Sequence, residues 1–514
     1  MSEEKQSLAA FGRPARSGLA CPEEIVRAVR ALFSRLASFF RSLLGRTPDA
    51  PSGFVEIELD DSIDALDEIE HIVVLMLENR SFDHMLGYLS LEPGGVDVDG
   101  LQAEMANEYA GHSYPIFKLE KTSSMKSQDP CHSGECVDRQ VTGGNGGFAA
   151  DYIETRADPG SAEPVVVMGY YDGDQLPVYD FLAKRFCVCD RWFCSLKGAT
   201  FPNRLYAVAG RAAGSRDNAS PPTYHLPSFV RRLDAAGATW RWYTHELFAT
   251  IWAIDRDYLP KTFDNVRPFS SPFSSEDFFS AAKSGALPDV AWIDPNFVDV
   301  GGAAGSNDDH PPSDVRAGQE LVLRVLNALV HSPAWERTLL VLTYDEHGGF
   351  FDHVEPPSAE DDDPRPEFRS YGPRVPAIVV SARVRPGASH ELFDHTSIIK
   401  TCLARFCRRE GGLIPDLGAR VNAANHLGVL LDKDVQVARP GDAELGGLVA
   451  ELRRWRAESL QEEVAVQSEA VPPDPAALTD FQEDYMAARE AVLDSMTPRE
   501  RAEAAKALGM TGAS

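Results

Sequence analysis

Long apolar runs are missing from this 514-residue chain: no stretch reaches the roughly 18 residues that a membrane-spanning helix requires. Met1–Ala20 is polar and mixed in charge. It lacks the basic, then apolar, then small-residue order of a secretory signal, so the cytoplasm is the default expected compartment, with export open only by a route the sequence does not display. Basic residues are scarce, 50 Lys and Arg against 78 Asp and Glu, for a net charge of −28. A chain without a general basic excess has little with which to displace the counterions of duplex nucleic acid, so that partner class is excluded, although a local cationic pocket is not. Cysteine is sparse as well, eight residues in all. Cys187, Cys189 and Cys194 lack the flanking His or Cys that would complete a four-ligand zinc pattern and read as free core thiols, while Cys131/Cys136 and Cys402/Cys407 are close enough in sequence to pair if oxidised. No internal repeat is present.

What the chain does have is an ordinary apolar fraction, 43 %, and a length that allows a large sheet core. Residues 1–60 read as an appendage. Within Pro22–Gly45, Ile25, Val29, Leu32, Leu36, Phe39, Phe40 and Leu43 recur at helical steps among Arg27, Arg30, Arg35, Arg41 and Arg46. This is a basic amphipathic helix, suited either to docking on its own domain or a partner or, through residues 23–46, to a membrane surface. Thr47–Gly53 follows as a linker. From residue 61 to about 440, apolar strand candidates (Ile72–Leu77, Trp240–Tyr243, Val290–Ile293, Leu339–Thr343, Ala377–Ser381) alternate with helical stretches (Leu205–Gly210, Ser228–Ala236, Val315–Leu329). That alternation predicts an α/β fold with a mostly parallel central sheet flanked by helices. Residues 441–514 turn rich in Ala, Glu, Arg and Leu, broken at Val471–Pro475, and predict a C-terminal extension of two helices.

Two strand exits carry hard oxygen donors. Glu78 and Asn79 follow Ile72–Leu77, and Asp345 and Glu346 follow Leu339–Thr343. In an open α/β sheet ligands gather at the carboxyl ends of strands, so these four side chains can form a carboxylate-and-amide cage for a divalent cation. Taken singly, each pair also fits solvated loop charge or helix capping. Thr200, in Gly198-Ala199-Thr200-Phe201-Pro202-Asn203-Arg204, stands before an apolar helical segment. It reads as an N-cap or, beside a metal, as a nucleophile. His132, His245, His310 and His395 are either buried structural histidines or groups that act on a phosphoryl oxygen or a leaving group. Asp394-His395-Thr396-Ser397 looks more like a capped helix start than a ligand set.

Six ordered stretches, "IEHIVVLMLENRSFDHMLGYL", "GATFPNRLY", "DPNF", "NDDHPPSDVRAGQ", "TYDEHGGFFDHVEPP" and "FDHTSIIK", together resemble the phosphoesterase family that contains bacterial and fungal phospholipases C of the non-hemolytic type and a related acid phosphatase. The resemblance covers roughly Ile69 to Phe406, about two thirds of the chain. It implies an alkaline-phosphatase-like α/β core and phosphoryl transfer through a covalent intermediate. It places the nucleophile on Thr200, within the family's Gly-x-(Ser/Thr)-x-Pro-Asn-Arg motif that also holds Asn203 and Arg204. The metal ligands fall on Glu78, Asn79, Asp345 and Glu346 with the Thr200 oxygen, and the phosphate-oxygen or leaving-group partners on His132 and His310, with His245 a weaker match. His347, Asp352 and His353 then belong to the surroundings of the ligands.

One stretch departs from the family. Members tend to carry Trp-Asp-Asp after the His-Ser and then Gly-Gly-x-x-Asp-Gly-Phe, where this chain has Gly134-Glu135-Cys136 and Gly143-Gly144-Asn145-Gly146-Gly147-Phe148. Asp151 is the candidate substitute for the missing aspartate. The expected activity is a metal-dependent phosphoric ester hydrolase, a phospholipase C-type phosphodiesterase with a phospho-threonine intermediate. Zinc, calcium, magnesium and manganese all remain open as the metal. The rival readings are a broad phosphomonoesterase (acid phosphatase) and, from another class, a non-catalytic metal-dependent lipid-binding protein. A choline head group would need an aromatic or acidic cage, for which Trp192, Trp242 and Tyr243 are candidates.

Overall fold

The computed structural model describes residues 53–120, 122, 129–156, 165–245, 248–271, 274–298, 306–311, 313–466 and 480–508. The amphipathic helix at 23–46, most of the linker after it and the break at Val471–Pro475 lie outside the described residues. Among the described residues no helix is long and apolar enough to cross a membrane.

An eight-stranded sheet forms the centre. Its strands are β1 (His71–Leu77), β2 (Cys187–Cys189), β3 (Trp240–Thr244), β4 (Val266–Pro268), β5 (Val290–Ile293), β6 (Thr338–Tyr344), β7 (Ala377–Ser381) and β8 (Gly387–Ser389). They lie in the order β8-β2-β7-β6-β1-β5-β3-β4. β7 alone runs against its neighbours β6 and β2, and the remaining pairs are parallel. The mostly parallel sheet is therefore present, with a reversal at Ala377–Ser381. β1 and β6 are apolar along nearly their whole length because helices cover both faces and leave no solvent side for alternation.

The helices that matter for the site are α1 (Phe82–Met85), α2 (Gly134–Gln140), α3 (Thr200–Ala209), α4 (Val315–Val330), α5 (Thr396–Phe406), α6 (Asp442–Val466) and α7 (Asp480–Ser495). Phe54–Glu56 pairs with Leu413–Pro415, so the chain joins the body before residue 61. The C-terminal segment holds a third helix, Pro498–Ala507, beyond the two expected. Cys131 and Cys136 are disulfide-bonded. Cys187, Cys189, Cys194, Cys402 and Cys407 are free and buried.

Candidate active site at the carboxyl edge of the sheet

β1 and β6 are adjacent and in register, with Leu77 opposite Tyr344. Their ladder runs on past the strand ends: the Asp345 N–H donates to the Leu77 carbonyl (3.1 Å) and the Arg80 N–H to the Glu346 carbonyl (3.1 Å). This register brings Glu78-Asn79 beside Asp345-Glu346, four residues far apart in sequence and all fully buried. Asn79 adopts a left-handed conformation, φ 58°. Its backbone carbonyl lies so close to Gly348, itself at φ 63°, that a Cβ at 348 would meet the oxygen at 2.1 Å. The glycine after His347 is thus needed for the two exits to come together.

The Asp345 carboxylate is fixed on both oxygens. Oδ1 accepts from the backbone N–H groups of Asn79 (3.1 Å) and Glu346 (2.7 Å), and Oδ2 from Arg204 Nε (3.1 Å). Arg204 Nη2 donates to Glu78 Oε1 at 2.8 Å. Arg204, one helical turn beyond Thr200 on α3, thus holds a carboxylate from each strand. Among the described residues, Glu78 Oε2 and Glu346 Oε1 are buried without a hydrogen-bond donor. Burial pushes Glu78 well up from its ordinary value, and the like charge of Asp345 adds to the effect while Arg204 opposes it. Burial likewise raises Asp345, and raises Glu346 to about 8. Buried carboxylate oxygens with no proton donor are costly unless a cation completes them. The donor set of carboxylates, an amide oxygen and a hydroxyl fits a hard divalent ion.

Thr200 is the first residue of α3, and its side chain does not cap the helix. Its hydroxyl instead donates to Asn79 Oδ1 at 3.2 Å. Asn203 secures the loop in front of it: its Oδ1 accepts from the Leu196 N–H, and its Nδ2 donates to the carbonyls of Gly198 and Ala199. Gly198 presses against the Arg216 carbonyl, where a Cβ would stand 2.2 Å away. Motif residues Gly198 and Asn203 therefore shape the turn that presents Thr200.

Asn79 also ties the nucleophile candidate to a histidine, its Nδ2 lying 3.5 Å from His132 Nε2. His132 Nδ1 faces the Pro130 carbonyl (3.0 Å) and His310 Nδ1 the Pro311 carbonyl (2.7 Å). A carbonyl only accepts, so each Nδ1 carries the proton. Burial, with His132 nearby, lowers His310 to about 3, which makes it a neutral imidazole with its lone pair on Nε2. In that state its Nε2 accepts rather than donates. Asp129, three residues before His132, joins the pair. Donor atoms of Asp129, His132 and His310 all lie within 4.8 Å of one another, the single such group of three His, Cys or carboxylate donors among the described residues. Glu78, Asp345 and Glu346 do not close into such a group by themselves, and their cage needs the oxygens of Asn79 and Thr200.

Other residues named from sequence are dispersed. His347 is buried beside Glu346, Nδ1 3.2 Å from Glu346 Oε2, and its Nε2 donates to Gln140 Oε1 at 2.8 Å. Asp352 and His353 lie apart from the ligands, in a cluster with Arg374, Asp83 and Asp99. His245, at the exit of β3, stacks on Phe269 (4.2 Å), and its Nδ1 donates to the Asp294 carbonyl. Burial lowers it to about 4. Asp151 accepts from Arg139 and Gln140, buried under α2. Asn145 fills the divergent turn at φ 60°, and its Nδ2 donates to the carbonyls of Asp352 and Val354. Trp192, Trp242 and Tyr243 are in the core.

Asp129 was overlooked from sequence; it opens the run Asp129-Pro130-Cys131-His132, and its three-residue offset from His132 was the available signal. His395, read as a helix cap, is a support: its Nε2 donates to the Asp345 carbonyl at 2.6 Å, and its Nδ1 accepts from Trp192 Nε1 at 3.3 Å.

Residues 69–407 match the model of the phosphoesterase family. The chain belongs to the phosphoesterase family. Among the relatives of this phosphoesterase, "Non-specific phospholipase C6" of Arabidopsis thaliana is 34 % identical over 346 residues, covering 62 % of this chain and 62 % of the relative's own length. "Phospholipase C B" of Mycobacterium tuberculosis (strain ATCC 25618 / H37Rv) is 32 % identical over 411 residues, covering 69 % of this chain and 75 % of that protein. Among solved structures, the lipoteichoic acid synthase LtaP from Listeria monocytogenes gives a TM-score of 0.37 at 10 % identity, over 73 % of this chain and 80 % of that one. A protein in the alkaline phosphatase superfamily from Vibrio parahaemolyticus gives 0.32 at 10 % identity, over 71 % and 79 %. At such scores these likenesses add nothing to the topology already described. The family is one of ester-bond hydrolases, and the phosphoesterase match spans every residue of the site from Glu78 to His395.

Proposed function

We propose that this phosphoesterase is a phosphoric ester hydrolase of the phospholipase C type, acting on phospholipid phosphodiesters through a phospho-threonine intermediate. The observation that carries the reading is the Thr200 hydroxyl. It sits at a helix start yet caps nothing, and it donates to Asn79, next to Glu78, which like Glu346 keeps one buried oxygen without a hydrogen-bond donor.

Glu78, Asn79, Asp345 and Glu346, with the Thr200 oxygen, would hold a divalent cation. When bound, such an ion lowers the pKa of a hydroxyl and neutralises phosphoryl charge. Thr200 Oγ1 attacks phosphorus, the bond to the diacylglycerol oxygen breaks, and the phosphorylated head group stays on the threonine until water releases it. Arg204 and the Asn79 amide hold the attacking oxygen and its surrounding carboxylates in one geometry, which is where positioning lowers the barrier. The names of the relatives support the phospholipid class. The core positions of Trp192, Trp242 and Tyr243 argue against a choline cage built from them, and so favour a site tolerant of head groups.

The test is metal-supplemented hydrolysis of phosphatidylcholine beside a simple aryl phosphate, following diacylglycerol and free phosphate, with Thr200→Ala as control. Diacylglycerol formed by the wild type and reduced at least about a thousandfold in the variant is the expected result. Phosphate from the aryl ester without diacylglycerol would make the protein a phosphomonoesterase, and unchanged turnover in Thr200→Ala would remove Thr200 from the chemistry.

A further inference from the structure

Two ion pairs join α4 to α6, Glu320 with Arg456 (3.3 Å) and His331 with Asp442 (2.9 Å), so the helices lie antiparallel. Between the pairs they part around a cavity of about 690 Å³. At about 1.5 Å per residue it runs roughly 16 Å along α4, from Glu320 to His331. Leu323, Leu445 and Leu452 are buried along its floor, with Val449 half-buried beside them. Gly446 completes the wall in the second turn of α6. Glycine weakens a helix relative to alanine, yet a Cβ at 446 would meet nothing within 4 Å, so no close approach of a neighbour accounts for it.

The two ends of the groove differ in charge. Arg324, Arg453 and Arg456 gather at the Glu320 end, three guanidinium groups against one carboxylate, and Arg456 is engaged by Glu320. Arg324 stacks over Phe279 at 5.0 Å, and Arg453 is exposed. Among the described residues neither forms an ion pair. At the far end His331 and Asp442 satisfy each other. An apolar channel with unneutralised guanidinium groups at one end suits a molecule with an anionic head and one long apolar tail. An acyl chain spans half the hydrocarbon core of a bilayer, about 15 Å, which matches the run from Glu320 to His331. A partner helix, about 10–12 Å across with its side chains, could not lie between α4 and α6 without breaking one of the ion pairs.

We propose that the groove between α4 and α6 binds one long-chain fatty acid. Its carboxylate is held by Arg324 and Arg453, and its tail lies over Leu323, Leu452, Val449 and Leu445 with its end at Gly446. Burial of the tail supplies the affinity, and the guanidinium groups select for the anion. None of these residues takes part in the candidate active site, so the fatty-acid site stands or falls apart from the chemistry of Thr200.

The experiment titrates the full-length protein with laurate, below its micelle concentration, by calorimetry at several temperatures. One equivalent should bind, with the negative heat-capacity change of buried apolar surface. Dodecyltrimethylammonium, which has the same chain and the opposite charge, should bind at least about tenfold more weakly. Gly446→Leu, which fills the groove from a position with open space, should weaken laurate at least about tenfold, as should Arg324→Gln combined with Arg453→Gln. Equal binding of the two amphiphiles, or unchanged laurate affinity in Gly446→Leu, would overturn the proposal. So would a wild-type dimer that Gly446→Leu abolishes, because the groove would then belong to a second copy of the chain. If circular dichroism shows that the variants do not fold, a laurate carrying a diazirine decides the matter on the wild type. Photo-crosslinks to residues 320–331 or 442–456 uphold the site, and crosslinks confined to other segments, those around Thr200 included, overturn it. None of these readouts uses a phosphate ester, so failure of the Thr200 mechanism and failure of the fatty-acid site are separately visible.

Discussion

Arg204 shows what a single residue contributes here and how little of it is visible in a motif. Its guanidinium is buried between Glu78 and Asp345, at 2.8 Å and 3.1 Å. Burial alone would lower its pKa, but the two carboxylates more than offset this and hold it up. Without it, two fully buried carboxylates from adjacent strand exits face each other with no countercharge between them. Arg204→Gln should therefore destabilise the metal-free protein by about 3–5 kcal/mol, the cost of leaving buried charge unpaired. Urea unfolding in the presence of chelator measures this, and a loss under about 1 kcal/mol would show that the carboxylates are neutralised some other way. At this scale the oxygen donors were legible only as two pairs at neighbouring strand exits, because either pair alone also fits solvated loop charge or helix capping. From its local sequence Thr200 was ambiguous between a helix cap and a nucleophile, and only the family motif singled it out. The tautomers of His132, His310 and His395 depend on carbonyls that no sequence pattern reports.

Elements rather than single residues decide where the β6 exit goes after Gly349. Arg374, just before β7, donates to Asp352 at 2.9 Å and to Asp83 of α1 at 3.0 Å. His353 Nδ1 reaches Asp83 at 2.7 Å and Nε2 reaches Asp99 at 3.1 Å. This cluster clasps the loop behind the Asp345–Gly349 turn to α1, although it touches none of the candidate ligands. Burial works against the charged form of His353, but hydrogen bonding and attraction to Asp83 more than compensate and raise it to about 9. The unfolded histidine titrates near about 6.5. Its contribution to stability is therefore complete below about 6.5 and is lost as pH rises through about 9. The difference in unfolding free energy between wild type and His353→Gln should be largest near pH 6 and shrink toward pH 10, and a difference that does not change with pH would rule out the charged pair. The long buried strands were readable because continuous apolar runs bounded by turns mark a covered parallel sheet. The three-residue strands Cys187–Cys189, Val266–Pro268 and Gly387–Ser389 are too short to show a period. The reversal of β7 is set by its connection to β6 rather than by its own residues.

Over the whole molecule, the C-terminal segment that composition sets apart as an extension reaches α3, the helix that begins at Thr200. On α7, Tyr485 packs against Phe248 at 5.3 Å and Phe297 at 4.9 Å, and its hydroxyl donates to the Phe248 carbonyl. Phe297 in turn lies over the Arg204 guanidinium at 5.1 Å. A second route runs through Asp484, which accepts from Asn218 Nδ2 at 2.7 Å, while Asn218 Oδ1 accepts from the Phe201 N–H in the first turn of α3. Both routes end within one helical turn of Thr200. Sequence could not disclose this, because an Ala- and Glu-rich helix looks alike whether it stands free or buries a tyrosine. Since positional errors of about an ångström at a reacting group can cost up to about a hundredfold in rate, removing residues 480–514 should lower kcat about ten- to a hundredfold while the far-ultraviolet circular dichroism of the sheet body persists. Asp484→Ala, which leaves the apolar packing of Tyr485 in place, should give a smaller fall, mostly in kcat rather than KM, because Asp484 acts on the start of α3 only through Asn218 and the Phe201 N–H. If the truncated protein turned over phosphatidylcholine at the wild-type rate, the C-terminal helices would be only a cover for Phe248 and Phe297, and the placement of Thr200 would rest wholly on Asn203, Gly198 and the strand exits.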